Sequence, residues 1–142
     1  MMSGIRGKDT KLEIIIRKAL HRRGFRYRLH VKDIPGRPDM WLPRHRAVVF
    51  IHGCFWHGHD CSLFRLPETR QDFWKSKVAG NRARDARQSE TLLEAGYRVI
   101  TIWECAIRGT NRIGLDAAID LAAKWIEGES NSFEIRGGNG VG

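Results

Sequence analysis

The chain has 142 residues, with 25 Lys and Arg against 16 Asp and Glu, a formal charge of +9 and a pI near 10.1. That length is one domain with one core, and cations in such excess repel one another until phosphates or anionic lipids meet them, which puts nucleic acid first among partners. No apolar run approaches the ~20 residues of a membrane span, the opening MMSGIRGKDT has no segment of signal-peptide type, and three cysteines cannot close a disulfide framework, so an intracellular (cytoplasmic) protein is expected.

KDTKLEIIIRKALHRRG reads as the first helix. Asp9 or Thr10 can cap it, Glu13 stands three after Thr10, Leu12, Ile15, Ile16, Ala19 and Leu20 form one apolar stripe, and Gly24 can end it. FRYRLH alternates Phe25, Tyr27 and Leu29 with basic residues, the period of a strand with one wet face. A Pro/Gly loop and a short strand follow in DIPGRPDMWLP, and the unbroken Ala47 to Ile51 run of RAVVFIHG suits a central strand covered on both faces. From Pro67 to Gly96 the composition is helical, with a weak point at Gly80. YRVITIW is a second buried strand and LDAAIDLAAKWIEG an amphipathic closing helix. Residues 1–128 are expected to form the domain, and the Gly-, Ser- and Asn-containing stretch 129–142 a loosely ordered tail. The order of elements suits an α/β fold, a mixed sheet with helices on both faces.

FIHGCFWHGHDC, Phe50 to Cys61, holds two cysteines and three histidines around Phe55 and Trp56. Cys54, His59 and Cys61 can converge on one ion, with Cys105, just past the last predicted strand, as a fourth ligand. Three thiolates and an imidazole make a closed tetrahedral zinc shell with no position for a reacting water, a structural site. The plainer alternative is three small buried thiols. A loop bolted in this way can hold Phe55 and Trp56 outward to wedge between bases, or pack them as a satellite core over the site.

GRPD followed by VVFIH is a second constellation. Asp39 opens one strand and His52 ends its neighbour, so a carboxylate for Mg2+ and an imidazole for the proton can meet at one edge of the sheet. His57 is a second base, and Glu13 can reach the same ion through water. Asp39 as a turn residue and Glu13 as a capping-box partner are the structural alternatives. In RQDFWKSKVAGNRARDAR, Arg70, Lys75, Lys77, Arg82, Arg84 and Arg87 crowd one helical region beside Trp74. Lys77 and Asn81, four apart, share a face able to reach base edges, though a basic face is also simply a solvated one.

With GRPD, FIHGCFWHGHDC, FW at Phe73 and Trp74 followed by KVAGN, and WEC at Trp103 to Cys105, in that order over nearly the whole chain, the sequence resembles the very short patch repair DNA mismatch endonucleases. The resemblance implies a restriction-endonuclease-like core. It also implies nicking of one strand of duplex DNA 5′ to the thymine of a T:G mismatch, which arises when 5-methylcytosine deaminates. Asp39 then binds Mg2+ with the backbone carbonyl of Ile51, Glu13 and His52 reach the ion through water, and His57 is the general base. Cys54, His59, Cys61 and Cys105 match structural Zn2+ ligands. Phe55, Trp56 and Trp74 match the aromatic wedge, Lys77 and Asn81 the readers of the mismatched pair, and Met2 a side chain approaching from the other groove.

Against the PD-(D/E)xK pattern of that fold, Phe50 stands at the second acid and His52 at the lysine. Ile51 replaces a hydroxyl residue of the family, which usually carries a further basic segment ahead of MMSGIRGKDT. A nucleoid-associated monomer of bacterial type is expected, with mismatch-repair proteins as candidate partners. A zinc-stabilised DNA-binding module without activity, and a restriction-type nuclease acting on matched duplex, are the rival readings.

Overall fold

A computed structural model describes residues 10–61 and 63–138. Thr10 caps helix α1 (Lys11–Arg22), its hydroxyl accepting from the Glu13 amide at 3.3 Å. Asp9, the other candidate cap, lies outside the described residues. Strands β1 (Arg28–Leu29), β2 (Met40–Leu42) and β3 (Ala47–His52) follow, then the long helix α2 (Gln71–Glu94), strand β4 (Arg98–Trp103), the short α3 (Glu104–Ile107), α4 (Leu115–Glu127) and strand β5 (Ser132–Ile135). The five strands lie in sequence order, β1, β2 and β3 antiparallel and β3, β4 and β5 parallel, so β3 is the middle strand.

The alternation of β3 and β4 divides the core between the two faces of the sheet. Val49, Ile51, Ile100 and Ile102 turn to one face, where Leu12, Ile16 and Leu20 of α1 and Ile119, Ala122 and Ile126 of α4 cover them. Val48, Phe50 and Val99 turn to the other, against Leu92 of α2 and Ile34 of the β1–β2 connection. Burial on both sides is why every residue of β3 is buried and why its apolar run is unbroken.

Three elements differ from expectation. FRYRLH pairs only at Arg28 and Leu29, because β2, its partner, is three residues long. Helix α2 begins at Gln71 rather than Pro67 and runs through Gly80 without a break. Residues 132–135, within the stretch expected to be a loosely ordered tail, form β5 on the edge of β4. Backbone pairing supplies that strand, and alternation secures it: Phe133 and Ile135 turn to the core while Ser132 and Glu134 face out. No helix of the described residues is long and apolar enough to cross a membrane.

Candidate active site and metal-binding loop

The β2–β3 ladder ends where Met40 faces Val49, with the Asp39 amide donating to the Val49 carbonyl at 3.0 Å. Two residues further along β3, the Ile51 amide, which a longer β2 would have taken, donates instead to Asp39 Oδ2 at 2.6 Å. The carboxylate is thereby oriented at the carboxyl end of the parallel strands, where open α/β sheets place their ligands. A cavity of about 290 Å³ opens there. Glu13, Asp39, Ile51, His52 and His57 all line it, as does Asp85 of α2. The structure thus brings together Asp39, Glu13, His52 and His57, from four separate segments.

His52 and His57 are both 9 % exposed and stack face to face, ring centroids 3.8 Å apart and planes within 5°. Asp85 Oδ2 lies 2.5 Å from His57 Nδ1, and His52, His57 and Asp85 are themselves close enough to share a cation. Asp85, with Asp72 one of two acids in the basic stretch RQDFWKSKVAGNRARDAR, is not singled out by the sequence. Its signal was its spacing from Asn81, four residues earlier on the same helical face.

The second centre is the loop that follows β3. Ligand atoms of Cys54, His59, Cys61 and Cys105 lie within 4.8 Å of one another, and His59 Nδ1 is 3.5 Å from both Cys54 Sγ and Cys105 Sγ. Burial pushes the Cys54 and Cys105 thiols up from their ordinary value. It also lowers His59 to about 4, helped by the Arg136 charge and opposed by Asp60. A neutral imidazole facing the thiols of Cys54 and Cys105, whose ionised forms are costly to bury, with Cys61 beside them, is a donor set that a cation would satisfy. The surroundings hold it in place. Glu104 Oε1 accepts from the Cys54 amide at 3.1 Å, the Gly137 amide donates to Cys105 Sγ at 3.3 Å, and Trp103 stacks on His59 at 3.9 Å. Arg136 pairs with Asp60 at 2.9 Å and holds its carboxyl below the usual range.

Outside these centres, Phe55, Trp56 and Trp74 form one half-buried aromatic cluster with centroids 5.3–5.9 Å apart. Phe64 and the 44 % exposed Phe73 extend it. Helix α2 buries only Val78 and Leu92, and leaves Lys75, Lys77, Arg82, Arg84 and Arg87 exposed. Asn81 turns toward the loop, its amide donating to the Trp56 carbonyl at 2.7 Å. The loop sits against α2 at Gly58 (φ +61), where a Cβ would come within 2.4 Å of Val78. Met2, the remaining expected DNA contact, lies outside the described residues.

A cavity with convergent carboxylates and imidazoles, flanked by a basic aromatic surface, suits hydrolysis of DNA, and comparison with known proteins shows the class to be DNA endonucleases. Residues 1–63 match the family model described as DNA mismatch endonuclease Vsr. The DNA mismatch endonuclease Vsr of Escherichia coli is 40 % identical over 134 residues, covering 94 % of this chain and 86 % of that protein. The type II nicking enzyme V.XorIIP of Xanthomonas oryzae is 47 % identical over 107 residues, 75 % of this chain and 79 % of that one. The type II nicking enzyme V.NmeAIP of Neisseria meningitidis is 43 % identical over 108 residues, 76 % and 77 %. The chain belongs to the Vsr DNA mismatch endonuclease family.

Proposed function

We propose that the protein is a Mg2+-dependent endonuclease with a restriction-endonuclease-like core. It nicks one strand of duplex DNA 5′ to the thymine of a T:G mismatch left by deamination of 5-methylcytosine. The observation that carries the reading is the meeting of the oriented Asp39 carboxylate with the stacked His52 and His57 in one cavity, at the edge of an aromatic cluster.

Hard carboxylate oxygens from Asp39 and Glu13, with the Ile51 carbonyl, suit a small divalent cation, and Mg2+ bound there would stabilise charge on the phosphate oxygens. An ionised Asp85 only accepts hydrogen bonds, so it keeps the His57 proton on Nδ1 and leaves Nε2 as the base. His57 Nε2 takes the proton of the attacking water. The bond between phosphorus and the 3′ oxygen breaks in line with that attack, and the departing oxygen takes a proton from solvent, leaving a 5′-phosphate and a 3′-hydroxyl. His52, stacked on His57 and half of the same wall, positions the water with Glu13.

We assign the Cys54, His59, Cys61 and Cys105 cluster to a structural Zn2+. Zinc bonded to sulfur at about 2.3 Å and to nitrogen at about 2.0 Å in a tetrahedron has N···S edges of about 3.5 Å, and both N···S separations to His59 are 3.5 Å. Four ligands leave no open position, so this site shapes the loop rather than the chemistry.

Phe55, Trp56 and Trp74 serve as the wedge. Unstacking costs a few kcal/mol per step and least at a mismatch, so the cluster itself favours mispaired DNA. Lys77 and Asn81 are the proposed readers of the pair; the Asn81 amide, which donates to the Trp56 carbonyl at 2.7 Å, reads a base only on release of that bond.

The test is nicking of a labelled duplex carrying one T:G pair in a cytosine-methylation context, beside the same duplex with C:G, with Mg2+ and with chelator. A Mg2+-dependent nick 5′ to the thymine, absent on C:G, is the expected result. A nick on C:G at equal rate would favour the matched-duplex reading, with which the names of the type II nicking relatives are compatible.

A further inference from the structure

The cavity at Asp39 is lined by three acids, Glu13, Asp39 and Asp85, and by three permanent cations, Lys32, Arg37 and Arg84. A phosphodiester entering it carries negative charge toward those acids, so a side-chain cation beside the proposed Mg2+ would offset the repulsion at the phosphate oxygens. Arg84 is partly committed, its guanidinium donating to Asn81 Oδ1 at 2.9 Å. Arg37 differs in two respects. Its guanidinium forms no hydrogen bond or ion pair with any described residue, and its backbone sits at φ +46, in the left-handed region, immediately before Pro38.

That conformation is costly twice over. A non-glycine residue at positive φ carries roughly 1–3 kcal/mol of strain, and a following proline disfavours helical backbone in the residue before it. The surroundings enforce it. Ile34 and Pro38, on either side, are both buried. The Arg37 amide donates to the Ile34 carbonyl at 3.1 Å, and Gly36 (φ +80) is wedged between Phe50 of β3 and Gln88 of α2, where a Cβ would lie 3.3 Å from each. Glycine at position 37 would remove the strain without loss of any hydrogen bond or ion pair to the described residues. The fold instead holds the backbone that carries an exposed arginine in the lining of the cavity, two residues before the Asp39 carboxylate.

We propose that Arg37 is a further catalytic residue, whose guanidinium grips the non-bridging oxygens of the scissile phosphate across the cavity from His57. The inference rests on the endonuclease reading above. A planar fork of donors matches two phosphate oxygens at once, which a lysine at that place would not, and a backbone held in one conformation limits the reorganisation needed to bring that fork to those oxygens. The position also supplies from the residue preceding Pro38 the positive charge that His52 does not supply permanently from β3.

Arg37→Gly and Arg37→Asn both accommodate positive φ, so neither should disturb the fold. In single-turnover nicking of the T:G duplex each is expected to be slower by on the order of 100-fold, with an unfolding temperature equal to or above that of the wild type. Methylguanidinium added to Arg37→Gly should restore part of the rate. In metal-free binding the slope of log affinity on log salt should fall by about 1. Nicking by both variants at the wild-type rate, or activity lost in step with a lowered unfolding temperature, would overturn the assignment. Wild-type protein in the same assay separates the two readings: wild-type nicking beside undiminished variant nicking sinks only the role of Arg37, whereas a wild type inert on T:G sinks the endonuclease reading with it.

Discussion

Replacing Asp85 by Asn tests the arrangement of the base directly. The two groups are 2.5 Å apart, His57 is 9 % exposed, and the Asp85 side chain is 21 % exposed, so water competes little for the imidazole nitrogen. The carboxylate can only accept, which fixes the ring proton on Nδ1. An amide of the same shape can donate instead, which moves the ring proton to Nε2 and removes the lone pair that would take a proton from water. General-base catalysis contributes about 10²–10⁴-fold, equivalent to about 2.7–5.4 kcal/mol of barrier at 1.36 kcal/mol per decade. The stability lost with one such hydrogen bond is smaller, about 1–3 kcal/mol. Single-turnover nicking by Asp85→Asn is therefore expected to slow by 10²-fold or more, with duplex affinity changed little and an unfolding temperature lowered by no more than about 10 °C. A variant that nicks at the wild-type rate would refute the pairing of His57 and Asp85 as the base. One that unfolds in step with its loss of rate would show Asp85 to be structural.

Other expected outcomes follow from the same geometry. Asp39→Ala should abolish nicking in the T:G assay while duplex binding by gel shift persists. Cys105→Ser should lose zinc to a mild chelator that leaves the wild type loaded, with a lower unfolding temperature, both read on dialysed protein. Ile100→Ala, at a fully buried position of β4, should cost about 2–5 kcal/mol in urea unfolding. In metal-free protein, burial lowers His59 from the ordinary 6.5 to about 4. The stability due to its neutral ring is then complete above pH 6.5, falls as pH drops toward 4, and is gone below that. His59→Gln should flatten that limb of a stability–pH curve.

Much of this architecture is legible in the residues themselves. The α1 stripe, the Thr10 cap and the unbroken run of β3 each state a local preference that the packing then satisfies. So does the loop ligand set, since Cys54, His59 and Cys61 are close in the chain. What the sequence hides is pairing that depends on the sheet. Strand β5 carries only two apolar side chains, Phe133 and Ile135, amid residues common in loops, and its order comes from the β4 backbone beside it. Asp85 stands 28 residues from the histidine it pairs with, on a helix whose composition speaks only of a basic surface. Arg136 and Gly137 looked like tail residues, yet they brace Asp60 and Cys105 because β5 delivers them there.

The loop also explains why two tasks share one short segment. The His57 amide donates to the Gly53 carbonyl at 3.3 Å and the His59 amide to the Cys54 carbonyl at 3.0 Å, which closes a tight turn between the first two metal-type ligands. Within that turn Phe55 and Trp56 pack toward Trp74, while His57 lines the cavity beside His52. A single fixed turn therefore sets both the aromatic cluster and the base relative to Asp39, across a separation that a mobile loop would blur. Loosening its anchor at Cys54 or Cys105 moves both groups at once, so discrimination of the mismatch and the rate of hydrolysis should fail together. Asp39→Ala, which leaves the turn intact, should lose the second and keep the first.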